Sequence, residues 1–336
     1  MALQTNQRDS PPVVVITGVS AGVGRATALA FARRGWAVAG LARGRRGLEG
    51  AQRDIEAAGA CALMLSADVA DADAVKHAAQ QVVDAWGRID VWVNNAMTTI
   101  FAPISEITPE EFKRVTEVTY LGQVHGTLAA LLHMKGQGFG TIVQVGSALA
   151  YRSIPLQSAY CAAKAAARGF TDSLRSELIH DHSPIRLTMV HLPAMNTPQF
   201  DWARSRLPRQ LQPVPPIYDP EAAAEAIYTA AQEAPRELWV GAPTAKAIGG
   251  TMLAPGFLDH FLARRAWDGQ MTPDSAAPRA DNLFEPVDED RGVRGRFTHQ
   301  EKRGPANASA SSVRLAVLAA GAAIVGLLVL GRGRSR

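Results

Sequence analysis

Ser147, Tyr160 and Lys164 are the residues of this chain whose types and spacing could do chemistry. Tyr160 and Lys164 stand four residues apart in SAYCAAK, and on a helix that spacing puts both side chains on one face. A cation held close to a phenol favours the phenolate and lowers its pKa from about 10 toward neutrality, where general acid/base catalysis works best. Ser147, thirteen residues before the tyrosine, supplies a second hydroxyl. The same tyrosine and lysine spacing also describes an ordinary exposed helix face, so the elements that would position the three residues must decide.

Those elements alternate between strand and helix patterns. Residues 13–17 (VVVIT) form a β-branched run that opens into Gly18-Val19-Ser20-Ala21-Gly22-Val23-Gly24, followed by an alanine-rich helical pattern over 25–34. Glycines there let the backbone turn tightly and approach a pyrophosphate, whose charge the N–H groups of the helix N-terminus meet. They also serve plain tight turns, but a strand before and a helix after favour the phosphate reading. A second strand over 37–42 ends at Ala42-Arg43. An acid at that point would accept hydrogen bonds from a ribose 2′-hydroxyl, whereas a guanidinium suits a 2′-phosphate, so Arg43 favours NADP(H) over NAD(H). The alternative is a solvated loop arginine.

Further strands are expected over 61–67, ending at Asp68-Val69, and over 89–93, ending at Asn94-Asn95-Ala96-Met97. Helices are expected over 48–58 and 72–86, and one long helix, capped by Thr108, over 109–134 through Thr119. Residues 141–145 make a fifth strand that delivers Ser147, the 158–180 helix carries Tyr160 and Lys164, and strands over 185–191 and 237–240 flank a helix over 221–232. This alternation predicts an α/β fold, a parallel sheet covered on both faces by right-handed crossovers, with its ligand beyond the carboxyl ends of the strands. Gly18, Arg43, Asp68, Asn94 and Ser147 all lie at such ends.

The motifs TGVSAGVG (17–24), Asp68-Val69, NNAM (94–97) and the Ser147, Tyr160, Lys164 set, in this order, resemble the classical short-chain dehydrogenase/reductase (SDR) family over roughly residues 13–250. The glycine spacing differs from that of the family's extended, epimerase-like branch. The resemblance implies one Rossmann-type catalytic domain (13–267) with a doubly wound parallel sheet of about seven strands, and hydride transfer between NADP(H) and a carbonyl or secondary alcohol. It implies that Tyr160 is the acid/base, that Lys164 lowers its pKa and binds the nicotinamide ribose, and that Ser147 holds the substrate oxygen. It places Gly18, Ser20, Ala21, Gly22, Val23 and Gly24 on pyrophosphate and ribose, Asp68 and Val69 on adenine, and Asn94 with Ala96 beside the adenosine ribose. The fourth catalytic position of the family, an asparagine, falls on Thr119, Met97 replaces a glycine, and Thr197 is expected to contact the nicotinamide carboxamide. The family commonly forms homodimers or homotetramers. A protein that binds a nucleotide while tethered to a membrane, with little turnover, is the competing reading.

Composition narrows the rest. The net charge is +4 with arginines scattered along the chain, which argues against a nucleic-acid surface. Cys61 and Cys161 belong to no CxxC or Cys/His cluster, so both read as reduced and structural, with no metal site. Residues 1–12 read as a flexible, polar start rather than a secretory signal. Residues 196–220 hold Phe200, Trp202, Leu207, Leu211, Val214, Ile217 and Tyr218, suited to an apolar substrate or to packing, together with Arg204, Arg206 and Arg209. Residues 268–312, dense in Pro, Asp, Arg, Ser and Ala, read as a mostly disordered linker, in which the short NLFEP (282–286) is suited to dock back onto the domain. Residues 313–331 include the uncharged run LAVLAAGAAIVGLLVL and read as a membrane helix or, alternatively, a buried one, before a basic tail (332–336). The expected location is a cytoplasmic catalytic domain attached to a membrane by that helix.

Overall fold

The computed structural model describes residues 10–304 and 307–311. The main sheet takes β1 (Val13–Thr17), β2 (Ala37–Ala42), β3 (Ala62–Ser66), β4 (Val91–Asn94), β5 (Thr141–Ser147), β6 (Arg186–Leu192) and β7 (Glu237–Val240), all parallel. An eighth strand, β8 (Asn307–Ser309), joins the edge antiparallel to β7, giving the order β8-β7-β6-β5-β4-β1-β2-β3. The strand order reverses between β1 and β4, the place where open α/β sheets leave a crevice for a ligand.

Alternation along the strands sorts the core into two layers. Val14 and Ile16 point to the face covered by α1 (Gly22–Ala32), α2 (Arg45–Ala57) and, after β6, the helix Pro220–Glu233. Val13 and Val15 point to the opposite face, under α3 (Ala72–Trp86) and the later helices Gly122–Gln137 and Ser158–His180. Each strand is thus apolar on both sides, which is why the strands read as continuous apolar runs.

The long helix expected over 109–134 is instead α4 (Pro109–Thr116) and α5 (Gly122–Gln137), joined by a π-turn at Glu117–Leu121. Single π-turns inside helices concentrate at functional sites. The following helices are α6 (Ser158–His180), α7 (Pro220–Glu233), α8 (Gly241–Leu253) and α9 (Pro255–Asp268).

The segment expected to be a disordered linker is instead packed on the domain. Met271–Ser275 pairs antiparallel with Arg209–Leu211, Glu301–Lys302 pairs with Ile217–Tyr218, and Leu283 and Phe297 are buried. Its composition hid this because the segment is held by isolated apolar anchors and backbone hydrogen bonds, which leave no hydrophobic periodicity. The apolar run within 313–331 and the basic tail lie outside the described residues. Among the described residues no helix is long and apolar enough to cross a membrane.

Candidate active site

A cavity of about 500 Å³ runs along the carboxyl ends of the strands, from the glycine turn after β1 to Ser147, Tyr160 and Lys164. At the first end the turn needs glycine twice over. Gly18 has φ +72°, and a Cβ there would lie 2.8 Å from the Ala96 Cα; a Cβ at Gly24 would lie 2.1 Å from the Gly18 carbonyl oxygen. These contacts press α1 onto the loop after β4 and turn its N-terminus, which Ala21 leaves without a side-chain cap, toward the cavity. Such an end favours an anion.

Of the expected cofactor residues, Gly18, Ser20, Ala21, Gly22, Val23, Gly24, Arg43, Asp68, Val69, Ala96, Tyr160, Lys164 and Thr197 all line the cavity. Asn94 does not. Its side chain is fully buried among Trp92, Thr127 and Gln144, accepting from Trp92 Nε1 at 2.8 Å and donating to Thr127 Oγ1 and Gln144 Oε1 at 3.0 Å each. Asn95 lines the cavity in its place, its amide donating to the carbonyls of Thr17 and Gly18. The alternation of β4 carries the signal: Asn94 is the last residue in strand register and faces into the sheet layer, so its neighbour is free of it.

Arg43 is also placed otherwise than expected. Its Nη1 and Nη2 donate to the carbonyls of Phe284 and Asn282, both at 2.6 Å, so the guanidinium holds the C-terminal segment. Asp68 pairs with Arg114.

At the second end, β5 delivers Ser147, whose Oγ accepts from the Leu149 N–H at 3.1 Å. Burial pushes the Tyr160 phenol above its ordinary value, and its hydrogen bond with Ser147 pulls the other way. Lys164 is 1% exposed, and its Nζ donates to the Val145 carbonyl at 2.7 Å and lies 5.7 Å from the centre of the Tyr160 ring. Burial lowers the Lys164 ammonium to about 7. The expected depression of the tyrosine by the lysine is therefore not what this geometry gives: desolvation dominates both groups and moves both toward their neutral forms.

Thr119 lies in the π-turn, fully buried, and is not among the residues that line the cavity. Its hydroxyl accepts from the Thr98 N–H at 3.0 Å and donates to the Thr98 carbonyl at 2.8 Å. Both capacities are spent on the loop after β4. Behind Ser147 lies a network that sequence reasoning missed. His191 Nδ1 meets the Ser147 carbonyl at 3.1 Å, while Tyr151 and Trp239 donate to the Glu237 carboxylate at 2.8 and 2.9 Å. Burial pushes the Tyr151 phenol up to about 12 and the His191 imidazole down; burial also works to raise the Glu237 carboxyl, but the hydrogen bonds donated by Trp239 and Tyr151 hold it below its ordinary value. The only sequence signal was a glutamate opening an apolar strand, ELWV.

The apolar residues of 196–220 divide between the two readings. Phe200, Trp202 and Val214 line the cavity, whereas Leu207, Leu211 and Ile217 pack against Phe101, Met271 and Phe297. Arg204 and Arg206 both bond Glu111, 3% exposed, whose carboxyl falls to about 2: burial raises it, and the arginines and the Thr108 N–H more than offset that.

The family model for short chain dehydrogenases matches residues 12–207. The chain belongs to the short-chain dehydrogenase family. An uncharacterized oxidoreductase of Bacillus subtilis, YxnA, is 34% identical over 275 residues, covering 81% of this chain and 77% of its own. Among solved structures, an alcohol dehydrogenase of Thermococcus sibiricus complexed with 5-hydroxy-NADP aligns with TM-score 0.59 and 29% identity over 69% of this chain and 96% of its own. A short-chain dehydrogenase of Streptomyces avermitilis aligns with TM-score 0.63 and 30% identity, over 75% of this chain and 96% of its own. This member of the family continues past its matched core, and residues 282–289 return to the cavity wall.

Proposed function

We propose that this oxidoreductase catalyses reversible hydride transfer between NADP(H) and a carbonyl or secondary alcohol. The observation that carries the reading is one cavity with a glycine turn at one end and Ser147, Tyr160 and Lys164 at the other. The cavity suits a nicotinamide dinucleotide: its glycine turn accepts close backbone approach, the α1 N-terminus suits a pyrophosphate, and Lys164 and Thr197 line the far end. When bound, such a cofactor supplies or accepts the hydride.

The chain's own residues supply the rest. Ser147 holds the substrate oxygen, and Tyr160, which burial favours as the phenol, gives that oxygen a proton in reduction, while in oxidation its phenolate takes the proton back. Lys164 orients the site from Val145 and offers Nζ to the cofactor ribose. Arg43, with Ala42 in place of an acid at the end of β2, supports NADP(H) over NAD(H). Leu149, Ile154, Val214 and Leu262 give the cavity apolar walls, in keeping with a sizeable apolar substrate. Exposed Leu128 and Leu132 on α5 suit pairing with a second copy, which light scattering reads. The run Leu315 to Leu330 is the ground for membrane attachment through residues 313–331, with the catalytic domain on the cytoplasmic side.

NADPH consumption over a panel of aldehydes, ketones and sterols tests the reading, with Tyr160→Phe beside the wild type. The expected result is turnover by the wild type and a loss of about 10²- to 10⁴-fold in the variant, with dinucleotide affinity kept. A wild type that binds the dinucleotide tightly and turns over nothing on the panel would instead favour a nucleotide-binding protein with little activity.

A further inference from the structure

Residues 282–292 lie along the adenosine side of the cavity as a strap, and the domain grips them in two ways. Arg43 takes the carbonyls of Asn282 and Phe284, Arg114 Nε donates to the carbonyl of Leu283 between them at 3.0 Å, and the Leu283 side chain is fully buried against Ile100, Val115 and Ala159. Beyond this clamp, Asp288, Glu289 and Asp290 follow the first turns of α2. A helix face there carries Gly44, Gly47 and Gly50, three residues apart, and a Cβ on each would meet the strap in the same order. It would lie 3.3 Å from Asp288 Oδ1, 3.6 Å from the Glu289 carbonyl and 2.1 Å from Asp290 Oδ2. Asp290 closes the register by pairing with Arg25 and Arg53, and the Gly292 carbonyl accepts the Gly22 N–H at 3.0 Å.

This seating takes up the donors that a 2′-phosphate would need. Asp288 Oδ1 accepts the backbone N–H of Arg46 at 2.8 Å, so a carboxylate already caps the N-terminus of α2, a site that attracts anions. Arg43, the cation beside it, is bound to strap carbonyls. Beneath the strap the cavity stays open, with Asn282, Pro286, Val287 and Glu289 in its wall. A dinucleotide ending in a 2′-hydroxyl adds no charge there. One ending in a 2′-phosphate contends for the same guanidinium and N–H, and adds a dianion beside a strap that already carries Asp288, Glu289 and Asp290.

Resting on the reading of the cavity as a nicotinamide dinucleotide site, we propose that Asp288 is a specificity-determining residue that competes with the 2′-phosphate. NAD(H) binds under the seated strap, whereas NADP(H) binds only by displacing residues 284–288 from Arg43 and α2. The preference that Arg43 confers is thus conditional on the strap.

Dissociation constants of NADPH and NADH for the full chain, by fluorescence titration, test this in wild type and in Asp288→Asn, which keeps the shape of the cap. NADPH affinity is expected to rise about tenfold or more while NADH changes less than about threefold. Leu283→Ala, which loosens the strap from its other end without touching the acidic residues, is expected to shift the ratio the same way. Hydrogen exchange of residues 284–288 is expected to rise with NADPH and not with NADH. An NADPH/NADH ratio unmoved in both variants, or equal protection of the strap by both cofactors, overturns the competition while leaving the dinucleotide site standing. A wild type that binds neither dinucleotide overturns the site and the competition together.

Discussion

Replacing Lys164 with methionine should raise stability and remove activity, and the two effects have one cause. Lys164 is 1% exposed, and among the described residues no carboxylate offsets its burial; what holds it is the Val145 carbonyl. Its ammonium falls from an ordinary 10.5 to about 7. At about 1.4 kcal/mol per pH unit, the folded chain bears a penalty of up to about 5 kcal/mol for keeping this lysine charged. The sign follows from proton counting. Between pH 7 and 10.5 the unfolded chain holds a proton that the folded chain has lost, so stability rises with pH across that window and the penalty is full below it. Methionine fills similar space without a charge but forfeits the bond to Val145, worth about 1 kcal/mol.

Urea unfolding of wild type and Lys164→Met at pH steps from 6 to 10 should therefore show the variant ahead by about 2–4 kcal/mol at pH 6. The gap should narrow toward pH 10, where the folded lysine is neutral and the unfolded one begins to lose its proton. Against a typical total of about 5–15 kcal/mol this is easily read. A difference between the two proteins that stays constant over the whole range would refute the claim that an uncompensated buried charge sits at the centre of the site. Turnover of the variant should fall even where its stability rises, a trade seen where strain is kept at functional positions.

Thr119→Val should cost about 2 kcal/mol, because it strips both partners from the buried Thr98 backbone groups, while the pH dependence of turnover keeps its shape. A displaced pH profile would return Thr119 to the proton path. Cell fractionation of the full chain should place it in the membrane fraction, and of residues 1–312 alone in the supernatant; a full chain wholly in the supernatant would end the attachment reading.

The sheet was legible in the sequence because its inner strands are buried on both faces, so runs such as VVVIT and ELWV carry their assignment without neighbours. The proposed set of Ser147, Tyr160 and Lys164 was legible for another reason. Ser147 ends β5 and Tyr160 with Lys164 opens α6, so strand alternation and helix spacing alone bring them to one edge. What stayed hidden depends on contacts between residues far apart in the chain. The π-turn that spends Thr119 on Thr98 leaves no mark in an apolar helix pattern. Asn94 and Asn95 exchange roles through a one-residue difference in register. The strap is the extreme case: its anchors lie some 240 residues from Arg43 and α2, so the short NLFEP run suggested docking but nothing local told where it would seat.

These hidden contacts bear on how the site works, because they decide which charges the cavity already contains. Desolvation leaves Tyr160 a proton donor and lowers Lys164 to about 7, so near neutral pH the reaction end carries no more than the partly titrated charge of one lysine. The adenosine end is the reverse, with Arg43, Arg114 and Arg25 held by strap carbonyls and carboxylates. A dinucleotide carries its negative charge at the pyrophosphate and, in NADP(H), at the 2′-phosphate. On the proposed reading the nicotinamide end then depends chiefly on shape and hydrogen bonding, while the discrimination between cofactors is an exchange of one anion for another. That exchange should weaken with salt: the NADPH affinity gained in Asp288→Asn should shrink as ionic strength rises, since part of it is repulsion at a half-exposed rim.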